Sequence, residues 1–193
     1  MNTLLDDYRL LKQRPAAKQH ENLDHFVVEG PRIIQRLLAC GYTIRSIIVQ
    51  CGKPHEVLGE LPSEVPIFDL TREQMSELAG FDFHRGYLAS AVRRPFSDPT
   101  TVPVKDPLML GLFGITDMEN MGSLLRSAAA FGVSKVFLDH ASVDPYSRRV
   151  CRVSMGASLS MQYFLMDEPG VVLPQLHSKG ITSLAATPSE TAT

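Results

Sequence analysis

The chain has 193 residues and a formal net charge of −2, with 44% hydrophobic and 21% charged residues. That length holds one large domain or two small ones, and the apolar content is ordinary for globular cores. The charge excludes a protein drawn to polyanions by bulk electrostatics, so any such affinity must come from local patches. Cys40, Cys51 and Cys151 are widely spaced with no CxxC pair, which predicts reduced thiols in a cytoplasmic protein. The six histidines lack a metal-ligand spacing such as HExxH, and no metal is expected. No apolar run reaches the length of a membrane span, and the amino terminus lacks a signal-peptide core.

In chain order, residues 4–19 predict a charged, amphipathic opening helix interrupted at Pro15. Residues 26–28 read as a strand, and Pro31 opens a helix buried through Ile33, Ile34, Leu37 and Leu38. Residues 44–50 form a β-branched strand and residues 65–68 another. Thr71 begins a helix with Met75 and Leu78 inward and Arg72, Glu73 and Glu77 outward, and residues 86–92 return as a strand. This alternation predicts an α/β sandwich over residues 1–92. Residues 93–107, with Pro95, Pro99, Pro103 and Pro107, read as an extended, semi-stiff linker before a second domain over 108–193.

The second domain opens with strand, polar loop, helix and strand. Residues 108–113 are the length of a strand buried on both faces, and Leu124, Ala128 and Phe131 predict the inward stripe of a helix stopped by Gly132. Residues 136–138 supply the next strand, so the crossover predicts two parallel neighbours with a right-handed connection. Ligands of such sheets bind beyond the carboxyl ends of strands, which puts residues 115–122 where chemistry is expected. Asn120 reads as a cap at the helix entrance, and Arg126 projects away from the face that meets the sheet. On spacing alone, a cap and a solvated arginine are the favoured reading of both residues.

The segment DMENMGSLLRSA (117–128), continuing through 130–133, resembles the first signature of the SpoU (TrmH-type) RNA 2′-O-ribose methyltransferases, members of the knotted SPOUT class. RVSMGA (152–157) is similar to a second block of that family, and FVVEGPR (26–32) resembles the start of its substrate-binding domain. Met118 stands where the family usually has proline, a change in loop stiffness more than in chemistry. The resemblance implies an α/β protein: a small ribosomal-protein-like sandwich followed by a parallel-sheet, Rossmann-like SPOUT domain.

It also implies methyl transfer from S-adenosylmethionine to a ribose 2′-hydroxyl of RNA, ribosomal rather than transfer RNA, by a homodimeric enzyme. Arg126 and Asn120 are the implied catalytic residues. Deprotonating a guanidinium near neutral pH costs about 8 kcal/mol, so Arg126 is expected to act as a fixed cation beside the developing alkoxide. Asn120 is expected to orient the ribose. Arg32, His84 and Arg85 are implied RNA contacts, with Arg9, Lys12, Arg14 and Lys18 along the opening segment.

Arg148, Arg149 and Arg152 form the densest positive cluster in the chain and suit phosphate contact, unless they pair with Asp139, Asp144 or a helix end. The family's cofactor-binding Gly-x-Glu-x-x-Gly and Ser-Leu-Asn motifs do not occur in these 193 residues. Residues 180–187 resemble the strand before them, with Ala186 and Thr187 at the adenosine. The chain by itself is therefore expected to lack the knot, to bind cofactor poorly and to be inactive. Two alternatives stay open: a non-catalytic RNA-binding or ribosome-assembly module, and an unrelated nucleotide-binding α/β domain. The latter is weakened because neither GxGxxG nor a P-loop lysine follows any strand.

Overall fold

The structure, a computed structural model, describes residues 3–9, 11, 24–103 and 108–186. The expected opening helix is, within them, one 3-10 segment, Thr3–Tyr8. Side chains hold it against the sheet behind it. The Tyr8 hydroxyl donates to the Ser46 carbonyl at 2.7 Å and accepts the Ser90 amide at 3.0 Å, while Asp7 takes the Ser90 hydroxyl at 2.6 Å. Pro15, Lys12, Arg14 and Lys18 lie outside the described residues.

Four strands build the first sheet: β1 (His25–Glu29), β2 (Ile44–Gln50), β3 (Ile67–Leu70) and β4 (Tyr87–Val92). Their order is β1-β4-β2-β3, antiparallel except for the β2–β3 pair. β3 starts two residues later than expected. Pro66 has no N–H to donate to the ladder, although its carbonyl accepts the Ile47 amide at 3.0 Å. Alternate residues face opposite ways. Phe26, Val28, Ile47, Val49 and Ala89 meet α1 (Pro31–Ala39) through Ile33, Ile34 and Leu37. Val27, Ile48 and Leu88 meet Tyr8 and, through Met75 and Ala79, α2 (Arg72–Ala79). Thr71 caps α2 in a reciprocal box with Gln74, as its sequence position suggests.

The second sheet is parallel, ordered β5 (Leu110–Leu112), β6 (Lys135–Leu138), β7 (Gln162–Leu165). β5 is shorter than expected and not buried on both faces: Leu112 is buried, but Gly111 is exposed. Among the described residues it pairs only with β6, and that edge position explains the exposure. The crossover helix α3 (Met118–Ala130) and the short α4 (Arg148–Val153) lie on one side. On the other, α5 (Pro169–Ser178) packs through Leu176 on Phe137 and Phe164. Neither α4 nor α5 is evident from periodicity: the first is six residues long, and the second carries Pro174 in its interior. Residues 181–186, expected as a strand, have no regular secondary structure.

One apolar core runs through both halves, with Phe26 and Tyr42 of the first packed on Tyr146 of the second at centroid distances of 4.8 and 6.3 Å. The described part of the linker lies along this junction. Ser97 donates its amide to the Tyr163 carbonyl at 2.9 Å beside β7, and Arg93 forms a bidentate pair with Asp144. Among the described residues no helix is long and apolar enough to cross a membrane.

The cysteines are unpaired and differ sharply in environment. Cys51 is exposed and Cys40 half-buried, whereas burial pushes the Cys151 thiol up to about 12. Alkylation of the native protein at mildly alkaline pH is therefore expected to mark Cys51 first and to spare Cys151 until denaturant is added. Equal labelling of Cys51 and Cys151 in the native state contradicts this packing.

Candidate functional site

The carboxyl ends of β5, β6 and β7 are tied together by acidic side chains. Gly114, in the left-handed region at φ 66, gives its amide to both Asp139 oxygens at 3.0 and 3.1 Å. Asp139 also accepts the Ser142 amide at 2.9 Å and the Ser142 hydroxyl at 2.5 Å. Ser142 Oγ accepts the Ile115 amide at 3.1 Å, and the Ile115 carbonyl accepts the Val143 amide at 2.8 Å. Beyond β7, Asp167 accepts the His140 amide at 2.9 Å and lies 2.5 Å from His140 Nδ1. The loop from β5 to α3 is thus held by side chains that follow β6, so its backbone is fixed before any ligand arrives.

That loop delivers the start of α3. Its cap is Asp117, whose Oδ1 accepts the Asn120 amide at 2.8 Å, and not Asn120 as expected. The helix begins three residues earlier than expected, which moves Asn120 from the cap into the first turn. The displacement has a chemical consequence: the Asn120 side chain is exposed and engages no described residue, so its amide can meet a ligand.

The buried face of α3 is Met121, Gly122, Leu125 and Ala128. Leu124 and Phe131, expected inward with Ala128, are 38% and 82% exposed. The reason is α4: Val153 lies so close that a Cβ on Gly122 would sit 2.6 Å from the Val153 Cβ and 3.1 Å from the Ser154 amide nitrogen. The helix turns its smallest residue to this neighbour, and the apolar stripe rotates with it. Gly122→Ala is expected to destabilise the protein by about 1–3 kcal/mol through overpacking. A lower unfolding midpoint in urea checks this, and an unchanged midpoint contradicts the close approach.

Arg126 stands on the outer side of α3, exposed, with no hydrogen bond or ion pair to another described residue. It follows Asn120 by six positions, about 9 Å along the helix axis. A ligand touching both must therefore lie along the helix and its preceding loop, not at a single point.

The other expected cations fall into four groups. Arg32, in the first turn of α1, is exposed and engages no described residue. His84 accepts a hydrogen bond at its Nδ1 from Arg72 at 2.7 Å, and Arg72 also pairs with Asp82 at 3.0 Å. Arg148 and Arg152 pair with Glu29 of β1, with Arg152 Nη1 donating at 2.8 Å, and Arg85 Nε lies 3.4 Å from the same carboxylate. Arg149 pairs with Glu119 in the first turn of α3. The partners are therefore Glu29 and Glu119, not Asp139 or Asp144. Asp139 holds the β5–α3 loop, and Asp144 is taken by Arg93.

Ala186 is exposed, and Thr187 lies outside the described residues. Residues 181–186 lie outside any strand. A cavity of about 530 Å³ lies at the opposite, amino end of β6 and β7, lined among others by Arg94, Lys135, Tyr146 and Gln162. Its position separates it from Asn120 and Arg126. Among the described residues no cluster of histidine, cysteine or carboxylate side chains could hold a metal ion.

The second sequence block, 152–157, works here through packing. Met155 at φ 54 and Gly156 at φ 81 turn the chain sharply after α4, and a Cβ on Gly156 would come within 2.9 Å of the Arg36 side chain on α1. The contributions of Asp117, Asp139, Ser142 and Glu29 were not foreseen. Asp117 had a legible signal, an acidic residue three positions before Asn120; the other three act on partners 25 or more positions away.

Residues 107–193 match the SpoU rRNA Methylase family. Over 188 residues the chain is 31% identical to an uncharacterised tRNA/rRNA methyltransferase of Mycobacterium tuberculosis, covering 95% of this chain and 65% of that relative. It thus spans slightly less than two thirds of the length of the curated relatives it matches first. Among solved structures, an RNA 2′-O ribose methyltransferase superposes with a TM-score of 0.69 at 26% identity, over 93% of this chain and 67% of that one. The SpoU methyltransferase AviRb of Streptomyces viridochromogenes, solved with AdoMet, gives a TM-score of 0.71 at 20% identity, over 93% and 68% of the two chains.

Proposed function

From the match of residues 107–193 to the SpoU rRNA Methylase family, we propose that the chain methylates a ribose 2′-hydroxyl of RNA, with ribosomal RNA as substrate and S-adenosylmethionine as methyl donor. The observation that carries this proposal is the pairing of two disengaged polar side chains, Asn120 and Arg126, on a helix whose leading loop is fixed by Asp117, Asp139 and Ser142. The 2′-hydroxyl fits because the structure of similar fold and 26% identity is named for that reaction. Ribosomal RNA fits because the matching family is described by that substrate.

The sulfonium donor brings its own leaving group, so the protein's task is alignment and charge. Arg126 supplies a cation that no described carboxylate neutralises, placed to stabilise oxyanion character on O2′ and a neighbouring phosphate. The proton leaves to water or to that phosphate, since guanidinium has no lone pair to accept it. Asn120, released from capping by Asp117, offers one amide acceptor and two donors to the ribose. Arg32, Arg85, Arg148, Arg149 and Arg152 are the proposed backbone contacts, with His84 at their margin.

The test is transfer of labelled methyl groups from S-adenosylmethionine by the full gene product. Label is expected in ribosomal RNA and not in DNA of the same sequence. Equal labelling of the DNA contradicts attack by a 2′-hydroxyl.

A further inference from the structure

We propose that Glu29 is a positioning residue that sets Arg85, Arg148 and Arg152 as one preformed seat for RNA backbone phosphate across the junction of the two halves; this rests on the RNA function above. Glu29 ends β1 with its side chain 3% exposed, beneath three guanidinium groups that come from two separate parts of the chain. Arg152 Nη1 donates to Oε1 at 2.8 Å, Arg148 Nη1 donates to Oε2, and Arg85 Nε lies 3.4 Å from Oε1. Arg148 and Arg152 are four residues apart on α4, hence on one face. The ring of Phe81 lies 4.5 Å from the Arg148 guanidinium carbon and fixes its plane.

The carboxylate is covered, and the cations are not. Arg85, Arg148 and Arg152 keep 54%, 25% and 30% of their side-chain surface. Three positive groups on one negative group leave a surplus of two positive charges. Each guanidinium has five N–H donors, and one carboxylate consumes only a few of the fifteen, so outward donors remain for phosphate oxygens.

The seat is also continuous with the candidate site. Arg149, next along α4, pairs with Glu119, the residue before Asn120. A strand gripped at Glu29 by its phosphates therefore meets the first turn of α3 one short helix away. Arginine side chains are long and rich in rotamers, so ordering them opposes binding. A buried carboxylate that orders three of them beforehand removes that cost from RNA binding.

Positioning and simple charge cancellation predict opposite signs. If Glu29 only neutralises, Glu29→Gln adds a net positive charge, so RNA binds more tightly and with a steeper salt dependence. If Glu29 positions, the variant binds more weakly despite the added charge. Affinity for a fluorescein-labelled ribosomal RNA stem–loop, measured across a salt series, separates the two. The expected result is a loss of about tenfold, with the slope of log affinity against log salt shallower by about one or more.

Glu29→Asp keeps the charge and withdraws the oxygens by one methylene. It is expected to weaken binding in the same direction, and it carries the test if Glu29→Gln does not fold by near-ultraviolet circular dichroism. Unchanged or tighter binding by a folded variant overturns the positioning role. Absence of salt-dependent binding by the unmodified protein instead overturns the RNA function itself, before any variant is compared.

Discussion

Arg126→Ala in the full gene product is expected to lower methyl transfer by about 10²- to 10³-fold while RNA affinity stays within a few-fold. The reason is the contrast between Arg126 and the other arginines of this half. Arg93, Arg148, Arg149 and Arg152 are each committed to a carboxylate, whereas Arg126 is exposed and engages no described residue. A cation with no structural partner can be removed without leaving a buried charge behind, so the unfolding midpoint should hardly move. The affected quantity is stabilisation of negative charge on O2′, which exists only as the bond to carbon forms. Arg126→Lys retains charge but loses the planar fork, and an intermediate rate is expected. Near-normal turnover in Arg126→Ala removes Arg126 from the site.

The largest stability effect is expected at Arg93. Its guanidinium meets Asp144 in two hydrogen bonds of 2.7 and 2.8 Å, and the two side chains are only 9% and 2% exposed. The rings of Tyr146 and Phe96 lie 4.7 and 5.3 Å from the Arg93 guanidinium carbon. Arg93→Ala strips Asp144 of its countercharge inside the junction and is expected to cost about 3–5 kcal/mol. For a protein of this size that lowers Tm by on the order of 10 °C. The double replacement Arg93→Met with Asp144→Leu should recover most of the loss, because it leaves no unpaired charge to bury. A single variant with a Tm within about 2 °C of the parent contradicts the picture of a buried, obligatory pair.

Much of this architecture is legible in local pattern, because local pattern reports what each segment does by itself. The β-branched run at 44–50 is β2, residue for residue, Pro31 opens α1 and Thr71 caps α2. What local pattern misreads is decided by neighbours distant in sequence. Periodicity assigned Leu124 and Phe131 to the interior of α3, but the approach of Val153 to Gly122 selects a different face. Asn120 has the chemistry of a cap, yet Asp117 takes the role and leaves the Asn120 side chain exposed.

The basic run 148–152 is equally visible as a charge cluster. Its partner, Glu29, lies 119 positions before Arg148, so no window of sequence connects them. The candidate catalytic residues came from motif resemblance, and their disengaged state came from the fold. Residues 181–186 show the converse: a segment resembling a strand by sequence has no strand partner among the described residues.

The most direct measurement is the position of the methyl group. After reaction of the full gene product with labelled S-adenosylmethionine and ribosomal RNA, the RNA is digested to nucleosides and analysed by mass spectrometry. The expected result is one 2′-O-methylated nucleoside with its mass increment on the ribose, present with the native protein and absent with Arg126→Ala. A methyl group on a base, or salt-dependent RNA binding with no transfer at all, contradicts it; the second result favours a non-catalytic RNA-binding module.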